Sequence, residues 1–136
     1  MAEVTYRWAR FEDMKQMIRL WRQFWPEPPN YEDRLQTKIE SAMDLVILAE
    51  NDGKIVGTVM GGNDGWWGWI YRLAVDPNYQ GQGIAGHLLD KILSRLREQN
   101  VNYVNLIVPP ANINMLRLAE SLGFEITEDK RLCIKL

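Results

Sequence analysis

The sequence predicts an α/β domain built as a mixed sheet with helices on both faces. Three observations carry this. Two amphipathic helical stretches lead the chain, three short apolar runs follow as a meander, and the second half alternates strand, helix, strand, helix. At 136 residues the chain holds one domain's worth of core, so residues 1–136 are expected to form a single domain. Its 46% hydrophobic and 25% charged residues exclude disordered, collagen-like and coiled-coil classes. A net charge of −2 gives no overall reason to coat nucleic acid or an anionic membrane, and neither is expected as a partner. One cysteine, Cys133, and one histidine, His87, are too few for a structural zinc site, so no metal is expected. No signal-peptide core and no apolar run near the ~20 residues of a membrane span occurs, and a cytoplasmic protein is expected.

Residues 4–10 alternate with β-formers and read as a first strand. Residues 13–25 place Met14, Met17, Ile18, Trp21, Phe24 and Trp25 at three- and four-residue spacing, a helix that Pro26, Pro28 and Pro29 end. Residues 31–43 read as a second helix with Leu35, Ile39 and Ala42 on one side. Residues 45–50 and 54–60 are strands joined through Asn51-Asp52-Gly53, the favoured chemistry of a tight hairpin. Residues 61–65 predict a looser turn, and residues 66–75 a third strand crowded by Trp66, Trp67 and Trp69. Adjacent Trp66 and Trp67 on a strand would point to opposite faces, so at least one lines something other than the main core.

Leu88, Leu89, Ile92, Leu93 and Leu96 mark a long helix whose start lies near Gly83. Residues 101–108 form a strand ended by Pro109-Pro110, and residues 113–122 a short helix with Gly123 at its left-handed C-terminal position. Residues 131–136 predict a last strand, with Cys133 a small buried or half-buried residue.

The most informative segment is the glycine-rich turn Val75-Asp76-Pro77-Asn78-Tyr79-Gln80-Gly81-Gln82-Gly83-Ile84-Ala85-Gly86, between a strand and the long helix. Glycines admit a close ligand, and the free N–H groups and dipole of the helix start suit a phosphate or pyrophosphate. His87 follows and reads either as a neighbour of such phosphates or as an exposed, idle side chain. Gly81-x-Gly83-x-x-Gly86 also satisfies the letters of a dinucleotide fingerprint. That reading fails because residues 76–80 separate it from the strand, and the next strand ends in Ile107-Val108-Pro109-Pro110 with no carboxylate for a ribose.

Gln80-x-x-Gly83-x-Ala85 resembles the Gln/Arg-x-x-Gly-x-Gly/Ala signature of the GCN5-related N-acetyltransferases, the GNAT family. Leu73-Ala74-Val75-Asp76-Pro77 is similar to that family's fourth strand. Asn112-Ile113-Asn114-Met115-Leu116-Arg117-Leu118-Ala119-Glu120-Ser121-Leu122-Gly123-Phe124 is similar to its Asn-containing turn, short helix and closing Gly-Phe. Element order agrees over residues 4–136.

The resemblance implies a mostly antiparallel GNAT-like sheet and acetyl-CoA as co-substrate. It also implies direct transfer of the acetyl group to a primary amine, from a small molecule or a peptide. The cofactor residues it implies are Leu73, Ala74 and Val75 on the strand, Gln80, Gly81, Gln82, Gly83, Ile84, Ala85 and Gly86 in the loop, and Asn112 and Asn114 after the next strand. Asn114 is the weaker of the last two, since an Asn before a short helix commonly serves as its N-cap. The acceptor site is implied near Trp25, Glu27, Tyr31, Trp66 and Trp69, an aromatic wall suited to an apolar or aromatic amine. Small members of the family are often dimers, so a homodimer is also implied.

The chain departs from the family where protons move. The position of the usual tyrosine acid is Ala119, and that of a fourth-strand carboxylate falls near Trp69. Tyr71, Tyr103 and Glu27 are the substitute candidates. Without an acid the alternative stays open of an acyl-CoA-binding sensor with weak or no transferase activity.

Overall fold

A computed structural model of the chain describes residues 3–26 and 30–136. Five strands form one sheet in chain order: β1 (Thr5–Trp8), β2 (Val46–Asn51), β3 (Lys54–Asn63), β4 (Gly68–Val75) and β5 (Val104–Leu106). Strands β1 to β4 pair antiparallel, and β5 lies parallel to β4. The helices are α1 (Met14–Trp21), α2 (Tyr31–Ala42), α3 (Ile84–Glu98) and α4 (Ile113–Ser121).

The alternation of β2 divides the interior into two layers. Val46 and Leu48 face α1 and α2, where Met17, Trp21, Leu35 and Ile39 cover them. Ile47 and Ala49 face the other way, onto Leu88, Leu89, Ile92 and Leu96 of α3. Helices therefore cover both faces, as the element order requires.

The differences from the sequence expectation have local causes. Helix α1 ends at Trp21 rather than Trp25: the chain tightens, Gln23 N–H donating to Leu20 O (3.2 Å) and Phe24 N–H to Trp21 O (2.9 Å). Pro26 already disfavours helical backbone at the residue before it. Gly61, Gly62 and Asn63 belong to β3, paired with Ile70, Trp69 and Gly68, and do not form a turn. A Cβ at Gly61 would stand 2.9 Å from Ile92 Cδ1, so this glycine is there to let α3 approach the strand. The turn is one step later. Asp64 Oδ1 accepts the N–H groups of Trp66 (2.8 Å) and Trp67 (2.6 Å), which places both tryptophans before β4. Strand β5 spans three residues where eight were expected.

Residues 131–136 form no strand. Leu132 and Ile134 are 89% and 80% exposed, and Cys133 is exposed rather than half-buried. Their alternation is that of a strand, but no neighbouring strand supplies the hydrogen bonds that would fix it.

Candidate active site

The site begins with an irregularity in β4. Thr58 pairs with Ala74 and Met60 with Tyr71, so Val59 faces two residues, Arg72 and Leu73. This is a β-bulge, and Arg72 takes left-handed backbone with φ 55°. A side-chain relay fixes it. Trp21 Nε1 donates to Thr58 Oγ1 (2.8 Å), and Thr58 Oγ1 donates to Arg72 O (2.8 Å).

The bulge parts two strands. Strand β5 pairs with β4 only from Gly68 to Ile70, whereas β4 runs on to Val75. From Tyr71 onward the β5 side of β4 is therefore an open slot. Asp76 N–H donates to Val56 O across β3 (2.8 Å), so strand alternation turns the N–H groups of Val75 and Leu73 into that slot. Ala74 faces the other way and is buried in the α1–α2 layer.

The slot leads to the glycine loop. Asp76 Oδ1 accepts Asn78 N–H (2.9 Å), and Gln80 Nε2 donates to Val75 O (3.1 Å), so the Gln80 side chain braces the loop from inside. Gly81 and Gly83 take φ of 80° and 83°, and Gly83 caps α3. The first intrahelical bond runs from His87 N–H to Gly83 O (3.1 Å). The N–H groups of Ile84, Ala85 and Gly86 precede it and project from the helix end. The Ile84 side chain is buried. His87 is exposed, with Nδ1 2.9 Å from Gly83 O.

Following β5 in the chain, Asn112 is the N-cap of α4, its Oδ1 accepting Met115 N–H (3.2 Å). Asn114, the expected cap, lies within the first turn and is exposed. At the other end Gly123 N–H donates to Glu120 O (3.0 Å) and Phe124 N–H to Ala119 O (3.0 Å), with Gly123 at φ 100°. That is the glycine-terminated helix end the sequence announced. Ala119 is 6% exposed and presents no hydroxyl.

On the opposite face of β4, a cavity of about 230 Å³ opens between α2, the end of α1 and the bulge. Tyr31, expected here, lines it with Trp21, and the two rings stack at 5.5 Å. Tyr71 lines it too, with Lys38 Nζ 5.4 Å from its ring centroid. The Arg72 guanidinium sits 4.7 Å from the Trp25 ring centroid and 5.4 Å from that of Tyr31.

Sequence reasoning missed the cations Arg34, Lys38 and Arg72. Tyr31, Arg34, Leu35 and Lys38 fall at i, i+3, i+4 and i+7, one helical face, which was the signal for two of them. Other candidates are not brought here. Trp66 is 82% exposed in the β3–β4 turn. Trp69 shares the strand face of Tyr71 but donates its indole N–H to Asp64 Oδ2 (3.2 Å) and does not line the cavity. Tyr103 precedes β5, packs against Trp67 at 5.5 Å, and stands beside Gly68, at the end of β4 away from the slot. Glu27 lies outside the described residues.

Known proteins share this fold. The acetyltransferase (GNAT) family model matches residues 11–124. Among solved structures, Ard1 from Thermoplasma volcanium superposes with a TM-score of 0.80 at 26% identity, covering 91% of this chain and 84% of that one. The aminoglycoside N-acetyltransferase AAC(6')-Iy, solved with the bisubstrate analog CoA-S-monomethyl-acetylneamine, gives 0.82 at 18% identity over 99% of both chains. A predicted acetyltransferase from Clostridium acetobutylicum, solved with acetyl-CoA, gives 0.79 at 17% identity, covering 97% and 96%. The chain belongs to the acetyltransferase (GNAT) family and is an acetyl-CoA-dependent N-acetyltransferase.

Proposed function

We propose that the protein seats acetyl-CoA along the free edge of β4 and transfers its acetyl group directly to a primary amine held in the α1–α2 cavity. The observation that carries this is the slot: β4 loses its partner after Ile70, and its open edge runs straight into the projecting N–H groups of α3. An extended amide chain ending in a pyrophosphate needs those two features in that order.

The residues fit such a molecule. The main chain of Leu73 and Val75 offers hydrogen bonds to its amide arm. The N–H groups of Gln82, Gly83, Ala85 and Gly86 face its phosphates, while Gly81 and Gly83 provide the left-handed backbone of the loop. Asn112 keeps its amide nitrogen for the arm, because only its oxygen is engaged in the cap.

When bound, acetyl-CoA supplies an activated thioester carbonyl. The Leu73 N–H, fixed by the bulge, is the donor for the oxyanion that develops there. An amine entering from the cavity must lose a proton to attack, and among the described residues no carboxylate lines the cavity. Two lining residues carry hydroxyls, Tyr31 and Tyr71; Tyr31 is buried whereas Tyr71 is 40% exposed, so Tyr71 is the one that can exchange a proton with water, and it takes the role left empty at Ala119. The test is acceptor-dependent release of free thiol from acetyl-CoA across an amine panel. A binding-only sensor would release none with any amine.

Two further readings accompany this one. A cytoplasmic location is supported by the single exposed thiol of Cys133, which a reducing compartment keeps free. Pairing with a second copy is supported by the exposed apolar alternation of Leu132, Ile134 and Leu136 and by the unpaired edge of β5, and sedimentation of the protein tests it.

A further inference from the structure

We infer that the acceptor amine carries an anion, a carboxylate or a phosphate, on an aromatic or apolar body; this rests on the α1–α2 cavity being the acceptor site.

Three cations from two elements converge on the cavity: Arg34 and Lys38 from α2, and Arg72 from the β4 bulge. Among the described residues no carboxylate lines it, and none of the three cations has a carboxylate partner within ion-pair distance there. Elsewhere this chain pairs its buried or half-buried arginines closely. Arg7 meets Asp13 at 2.8 Å and Glu50 at 2.6 Å, and Arg95 meets Glu98 at 2.6 Å. The cavity cations are held by other means. Arg72 lies against aromatic faces, and Lys38 donates to Gly61 O while sitting over Tyr71. These contacts orient the cations and leave N–H donors over for an incoming anion.

The same arrangement rejects polycations, because a second ammonium would enter among three like charges. The aromatic walls Trp21, Tyr31 and Tyr71 supply the apolar surface for the acceptor's body.

The test is calorimetric titration of the full chain saturated with coenzyme A. The probes are 3-phenylpropionate, phenyl phosphate, benzyl alcohol and phenethylammonium. At least one anion is expected to bind roughly tenfold or more tighter than the alcohol, as one charge-assisted hydrogen bond warrants, with phenethylammonium weakest. The better of the two anions distinguishes a carboxylate from a phosphate. Arg34→Gln, at an exposed position, and Lys38→Gln, at a half-buried one, should each erase most of that preference. Equal or tighter binding of the alcohol or the cation overturns the inference. So does no detectable binding of either anion at millimolar concentration, or a preference that survives both substitutions. Protection by acetyl-CoA against thermal unfolding is measured alongside. Its retention with no anion preference refutes this inference alone, whereas its absence refutes the assignment of the slot.

Discussion

Thr58→Val isolates the relay that shapes the site. Valine reproduces the shape of threonine, so the fully buried position is neither emptied nor overfilled. What disappears is one hydroxyl that accepts from Trp21 Nε1 and donates to Arg72 O, both at 2.8 Å. The buried Trp21 N–H is left without a partner at about 1–3 kcal/mol and the part-buried Arg72 O at about 1–2 kcal/mol, so the variant should lose roughly 2–5 kcal/mol. For a chain of this size that lowers the unfolding midpoint by very roughly 7–18 °C, read by circular dichroism or calorimetry. Thr58→Ser keeps the hydroxyl and should lose only about 1 kcal/mol, mostly from the missing methyl. Because Arg72 O is the anchor of the bulge, acetyl-CoA affinity should fall in the valine variant and hold in the serine variant. The reasoning is refuted if Thr58→Val unfolds within about 1 kcal/mol of the parent and binds acetyl-CoA equally well.

Other perturbations separate the parts of the site. Gly83→Val should fold, since a Cβ there meets only the His87 ring at 3.9 Å, yet weaken acetyl-CoA binding at least tenfold. Its φ of 83° costs a branched residue about 1–2 kcal/mol, and the side chain crowds the phosphate donors; unchanged affinity in a folded variant would break the loop assignment. Tyr71→Phe should lower kcat by roughly a hundredfold with acetyl-CoA affinity intact, the usual scale for losing a proton-transfer group, and an unchanged kcat removes Tyr71 from the chemistry. Burial works to raise the Asp13 carboxyl, but hydrogen bonds from Arg7 and from Arg10 N–H outweigh it and hold it below its ordinary 3.8. Its contribution to stability is therefore full above about pH 4 and lost as pH falls through the lower folded value, and denaturant titrations of Asp13→Asn should lack that acid-side loss.

Legibility followed locality. Helix α3, the hairpin at Asp52-Gly53 and the glycine-terminated end of α4 were readable because each is specified by residues within a turn or two. Gly61 read as part of a turn because what it accommodates, the side chain of Ile92, is 31 residues away in sequence. Residues 131–136 carry a strand's alternation, but a strand is completed by a neighbour that the alternation does not encode. The glycine loop was legible as the turn between strand and helix, with Gly83 capping α3. The bulge at Arg72 was not, since left-handed backbone at an arginine follows from Thr58 and Trp21 across the sheet. For the same reason nothing in the sequence singled out the three cavity cations, while Trp66 and Trp69 looked like walls. The cap of α4 fell at Asn112, two residues before the expected Asn114.

The central claim is that the open edge of β4 and the glycine loop together hold acetyl-CoA. Thermal unfolding with acetyl-CoA, coenzyme A and NADH, each at about 100 times a dissociation constant of ~10 µM, tests it directly. Binding of that strength adds about 2.7 kcal/mol and should raise the midpoint by very roughly 8 °C for the two coenzyme A species, with no shift for NADH. No shift with acetyl-CoA or coenzyme A, or an equal shift with NADH, would contradict it.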